Sequence, residues 1–141
     1  MSDLYEDDIL LWSERQAELL RQHAATARAN DAIDWPNIIE EVADVGISEY
    51  RAVESLLIQA LAHMLKAMAW PSSRDVPHWQ AETRGFLRQA RRRYTPSMRQ
   101  RIDLADLYAD ALVMLPDTMD GQPPLPVADV CPATLDELLS V

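Results

Sequence analysis

Apolar residues recur along this chain at helical spacing, and no sustained run alternates with period two. Ile9, Trp12, Gln16, Leu19 and His23 share one helical face, with Leu20 and Ala24 beside them, which predicts a first helix from about Tyr5 to Arg28. Asp3, Glu6, Asp7 and Asp8 load its first turn with the charge that a helix dipole favours there. Asp34 as N-cap and Pro36 in the first turn then open a second helix near Trp35. Its apolar stripe is Ile38, Ile39, Val42 and Val45. Gly46 stands where a terminating glycine would, and Ser48 where a new cap would, so the pattern predicts a break there. One kinked, continuous helix is the alternative. The third helix, Glu49 to Ala69, has the widest apolar face: Val53, Leu57, Ala60, Leu61, Met64, Leu65 and Met68. It is expected to be the central helix.

Prolines punctuate the rest. Pro71 ends the third helix, and Asp75 caps a fourth that runs through Tyr94. Thr95-Pro96 reads as a cap followed by an N1 proline, starting a fifth helix to about Leu115. Met98, Ile102, Ala105, Leu107 or Ala109, and Leu112 would face inward. Residues 116–133 form an extended, Pro-rich connection, and Thr134 caps a short last helix, Leu135 to Leu139. The sum is an all-α bundle of four to five main helices with a short C-terminal helix, in a single domain over residues 1–141.

Composition narrows this further. With 48% hydrophobic residues the 141-residue chain can bury a core and is not a disordered tail. Three Gly and one Phe argue against an all-β fold. One cysteine, Cys131, cannot form an internal disulfide. The first residues carry no basic region followed by an apolar run, which predicts no signal peptide. The most apolar stretch, Leu56 to Trp70, is interrupted by Gln59, His63 and Lys66 and is too short and polar to span a bilayer. A cytoplasmic protein with no membrane partner is expected. The four tryptophans, Trp12, Trp35, Trp70 and Trp79, lie near helix ends, where core anchoring is the expectation.

Charge changes the picture more than composition does. The net charge of −10 argues against a sequence-blind nucleic-acid binder. It is unevenly spread: residues 1–60 sum to −9, 61–102 to +7 and 103–141 to −8. On the fourth helix Arg84, Arg88, Arg91 and Arg92 fall on one stripe, opposite Trp79, Phe86, Ala90 and Tyr94. Pairing with the acidic helices is the simplest expectation for these arginines. The functional alternative is an anion- or partner-binding patch of Lys66, Arg84, Arg88, Arg91 and Arg92.

Other chemistry is sparse. Glu40 and Asp44 project together, and Glu41 lies about 100° round the helix. His63 has Gln59 and Ala67 at its helical neighbours, so no local ligand pair accompanies it. A hydrogen-bonded core or boundary histidine is the ordinary expectation for it. His78 and Glu82 make an i, i+4 pair near a helix start. Phosphate loops, nucleophile elbows and paired Cys-x-x-Cys motifs are missing.

Several segments, taken in order, resemble the bacterial domain-of-unknown-function family number 29. They are Tyr5-Glu-Asp-Asp-Ile-Leu-Leu-Trp12, Ile39-Glu-Glu-Val-Ala-Asp-Val-Gly46 and Leu61-Ala-His-Met-Leu-Lys66. Trp79 before the arginines, Tyr108-Ala-Asp110 and the ending Cys131-Pro-Ala-Thr-Leu-Asp-Glu-Leu138 belong to the same pattern. The family's Leu-Lys-Trp after the histidine is here Leu65-Lys66-Ala67. The resemblance implies a small cytoplasmic helical protein without an assigned activity. Its recurring polar positions match Glu40, Glu41, Gly46, His63, Lys66, Tyr108 and Asp110.

Together these readings predict an interaction or regulatory module that binds a protein partner or itself and needs no cofactor. One alternative is a metal-assisted hydrolase or nucleic-acid-processing enzyme. In it Glu40, Glu41 and His63 bind a divalent metal, Glu41 and His63 serve as acid and base, and Lys66 with Arg84 holds an anion. Another is an RNA-binding or toxin–antitoxin component that uses Arg84 to Arg101.

Overall fold

A computed structural model of the chain describes residues 3–140; Met1, Ser2 and Val141, at the ends of the expected domain, lie outside them. Six helices form, and no strand is present among the described residues. They are α1 (Leu4–Asp7), α2 (Ile9–Ala24), α3 (Trp35–Ala69), α4 (Val76–Arg93), α5 (Leu104–Val113) and α6 (Leu135–Leu139). A 3-10 turn, Pro96–Met98, precedes α5. The fold is all-α. The chain divides into two compact units: Met1–Arg51 with Tyr94–Arg101, and Ala52–Arg93 with Ile102–Val141.

In the first unit the expected first helix is interrupted at Asp8. This residue ends α1 and caps α2, its carboxylate accepting from the Leu11 N–H at 3.0 Å. The second oxygen accepts the Ser97 N–H at 2.8 Å, and the Ser97 hydroxyl adds a 2.6 Å bond. Burial by itself pushes the Asp8 carboxyl up. The hydrogen bonds from Ser97, the Leu11 N–H and Thr95 outweigh that and hold it below the ordinary carboxylate value. Thr95 makes no capping bond of its own. Consequently the expected fifth helix does not start at Pro96. Asp103 starts it instead, accepting from the Asp106 N–H at 3.2 Å. Ala105 and Ala109, expected to face inward, are exposed, while Leu107, Tyr108 and Ala111 are buried.

Gly46 does not break the helix. Asp34 caps α3 as expected, accepting from the Asn37 N–H at 3.5 Å and from its side-chain amide at 2.6 Å, and α3 runs for 35 residues. A Cβ on Gly46 would collide with the Ser13 hydroxyl and lie 2.9 Å from the Leu10 Cα. The glycine is there so that α2 and α3 can approach closely. Its helix penalty of roughly 1 kcal/mol is smaller than the packing it permits. Elsewhere in this unit the Tyr50 hydroxyl donates to the Arg101 carbonyl at 2.8 Å, and Arg101 pairs with Glu14.

The second unit is built on the C-terminal half of α3. Val53, Leu57, Ala60, Leu61, Ala62 and Leu65 are buried. Ala69, Trp70 and Trp79 form a cluster with Val76, Leu115, Met119 and Val127 packed against it. The Pro-rich segment is tied to the end of α3. The Leu125 N–H donates to the Ala69 carbonyl at 2.9 Å, and the Trp70 indole N–H donates to the Gln122 carbonyl at 3.0 Å. An Asp120-Gly121 turn with both φ positive (52° and 76°) brings Met119 and Gln122 together. Further on, Tyr108 donates to the Ala128 carbonyl at 2.6 Å. Burial, followed by nearby Cys131 and Asp129, raises its phenol above the ordinary value. Thr134 and Glu137 make a reciprocal capping box on α6.

The unbroken α3 also revises the reading of Leu56 to Trp70. By length and composition alone the 35-residue helix is apolar enough to cross a bilayer. The burial of its Val53, Leu57, Leu61 and Leu65 face is the pattern of a core helix in a packed protein.

Candidate functional site

The proposed metal and acid–base set does not come together. Glu41 and His63 lie on the same continuous helix, 22 residues apart, so they stand about 33 Å apart along its axis. One ion or one substrate atom cannot reach both, because ligand bonds are about 2 Å long. Glu40 is separated from His63 in the same way. Among the described residues no three His, Cys, Asp or Glu side chains group as metal ligands. His63 is half-buried, its Nδ1 within 2.8 Å of the Gln59 carbonyl and its ring 5.4 Å from that of Phe86. This is a hydrogen-bonded boundary histidine. Glu40 and Glu41 are exposed on the first half of α3.

The arginine helix forms, and its residues divide. Arg91 caps α6: its Nε donates to the Leu139 carbonyl at 2.8 Å, and its guanidinium reaches the Ser140 hydroxyl at 3.2 Å. A cation there complements the helix C-terminus. Arg101 is paired with Glu14, while Arg93 and Arg99 have interactions of their own. Arg84, Arg88 and Arg92 are exposed and form no ion pair among the described residues. The expectation that the stripe is neutralised by acidic helices therefore fails for these three.

Beside Arg84 lies an open groove of about 520 Å³, lined by Met64, Ala67 and Met68 from α3 and by Gln80, Thr83 and Arg84 from α4. Met68, expected in the core, is 41% exposed. Lys66 is half-buried and does not line the groove. Two residues from both Met64 and Met68, it points to the other side of the helix. Lys66 therefore lies on a different face of α3 from the groove that Arg84 borders. A smaller cavity of about 310 Å³ lies under the Pro-rich segment, walled by Trp70, Pro71, Met119, Gln122 and Leu125 among others. His78 and Glu82 make the expected exposed pair at 3.9 Å.

A family model matches residues 4–141, almost the whole chain, and its description is Domain of unknown function DUF29. The chain belongs to this family. A crystal structure of an alpha-helical protein of unknown function from Rhodospirillum rubrum is similar to it over 99% of this chain and 91% of that one. The TM-score is 0.84 and the sequence identity 25%. No curated protein sequence matches. The structure gives several DUF29 positions singled out in the sequence a physical role: Gly46 for close approach, His63 for a hydrogen bond to the Gln59 carbonyl one turn back in α3 and Tyr108 for tying down residue 128. Sequence reasoning missed Asp8 as a buried anchor. Its one local signal was the position of an aspartate three residues before Leu11, the spacing of an N-cap. The Met64–Met68 groove had no signal, since methionines on an apolar helix read as core.

Proposed function

We propose that this DUF29 protein is a protein-binding module whose contact face is the α4 arginine stripe together with the methionine groove beside it. The observation that carries this reading is the exposure of unpaired Arg84, Arg88 and Arg92 in a chain whose net charge is −10. Arginines not used to neutralise that excess inside the fold are available to an acidic partner. The groove supplies apolar surface on flexible thioether side chains, which adapt to a partner's shape.

The RNA-binding or toxin–antitoxin reading draws on the same stretch but has less to use. Arg91, Arg93, Arg99 and Arg101 already have partners, which leaves a short stripe of three cations over about two turns of α4. The metal-assisted reading through Glu40, Glu41 and His63 has lost its shared site. Fluorescence anisotropy with two probes tests the proposal: a labelled helical peptide with Glu at i, i+4 beside a Leu stripe, and a single-stranded RNA. The peptide should bind at low salt, weaken as salt rises, and be lost in R84A/R88A. Peptide binding that ignores R84A/R88A, or tighter binding of the RNA, would overturn it.

A further inference from the structure

We infer that the partner of this groove is a second copy of the chain, docking through the acidic apolar stripe on the first half of α3. The inference rests on the reading of the α4 face as a contact surface. Ile38 is 40% exposed and Val45 42% exposed. Seven residues apart, they stand two turns along one face, and Glu41 lies between them, three residues from Ile38 and four from Val45. Asp44 follows Glu41 by three and lies beside it. Glu41 and Asp44 are exposed and form no ion pair among the described residues. This part of α3 therefore presents branched apolar side chains with carboxylates set among them, all facing solvent.

The groove offers the complement. Met64 and Met68 provide an apolar floor, Arg84 stands at its edge, and Arg88 follows one turn along α4. Ile38 and Val45 of one copy seat on the methionines of the other, while Glu41 and Asp44 face Arg84 and Arg88. The two surfaces are complementary in charge and in apolar character: carboxylates without a cation beside branched residues, and arginines without a carboxylate beside methionines. Each satisfies the other when two copies meet. Every copy carries both halves, so each can offer its stripe to one neighbour and its groove to another, a head-to-tail contact.

Analytical ultracentrifugation of the full chain should show reversible self-association that weakens as salt rises. R84E/R88E should weaken it by about tenfold or more, and E41R/D44R should do the same. Mixing the two variants should restore association as a mixed complex, because each carries the charge that the other now needs. All four positions are exposed, so unchanged helical circular dichroism and melting will show that both variants fold. A wild-type chain that stays monomeric at all concentrations overturns the inference, and so does association that neither reversal affects. If that monomer still binds the acidic peptide through Arg84 and Arg88, self-docking fails while the module reading stands.

Discussion

Residues 3–51 with 94–101 bury three polar side chains, Asp8, Ser13 and Thr95, beside Leu10, Ala17 and Met98. Residues 52–93 with 102–140 bury no charged side chain as a whole, although one carboxylate oxygen of Asp136 is covered. Their interior is Val53, Leu57, Leu61, Leu65, Leu138, Leu139 and two tryptophans, with the phenol of Tyr108 hydrogen-bonded. The first unit is thus held at specific points by directional bonds and one close helix approach. The second rests mainly on buried apolar area, with neutral hydrogen bonds such as Trp70 to Gln122 fastening its Pro-rich segment. Directional bonds to an ionised group depend on its protonation, whereas apolar burial depends little on pH. One chain therefore contains two parts that should answer different perturbations.

The largest effect is expected in the apolar unit. Leu61→Ala removes a fully buried side chain and should cost about 3–5 kcal/mol by lost transfer energy and the cavity left behind. Chemical denaturation at neutral and at acid pH should give the same loss. A markedly pH-dependent loss would break the contrast.

Gly46→Ala comes next. The new methyl gains roughly 1 kcal/mol of helix propensity but drives into Leu10 backbone and the Ser13 hydroxyl. Overpacking should win, for a net loss of about 1–3 kcal/mol. A stabilised variant in thermal melting would mean that α2 and α3 do not approach as closely as described.

Asp8→Asn keeps the size of the side chain and removes its charge, so it should cost about 1–2 kcal/mol at neutral pH. The sign of its pH dependence follows from the lowered carboxyl. The folded chain holds that proton less readily than the unfolded chain, so the carboxylate stabilises above the unfolded value near 4 and stops doing so as pH falls through the folded value below it. The difference between wild type and variant should therefore shrink in acid, measured by denaturation at a series of pH values. A constant difference down to strong acid would remove Asp8 as the source.

Much of the helical frame was legible along the chain. The N-cap at Asp34, the span of α4 and the Thr134 cap of α6 were visible because capping and proline rules act over three or four residues. The two misread boundaries have one cause. At Gly46 the deciding contact is with Leu10, and at Pro96 it is with Asp8, each far away in sequence. Local signals for a stop and a start were present there, and a distant partner overrode them. The candidate site divides likewise. The arginine stripe was readable from i, i+4 spacing, but which arginines were already engaged was not, since Arg91 is taken up by the carbonyl of Leu139.

The sequence by itself determined an all-helical chain, its family, and the segregation of charge into an acidic start, a basic middle and an acidic end. These follow from periodicity, order and composition, which require no fold. Only the tertiary structure decided that α3 is unbroken, that Glu41 and His63 cannot share a ligand, that Asp8 is an anchor and that Arg84, Arg88 and Arg92 remain unpaired. Each of these depends on which groups meet across long stretches of chain. Burial and hydrogen bonding act through space, so spacing along the sequence cannot report them.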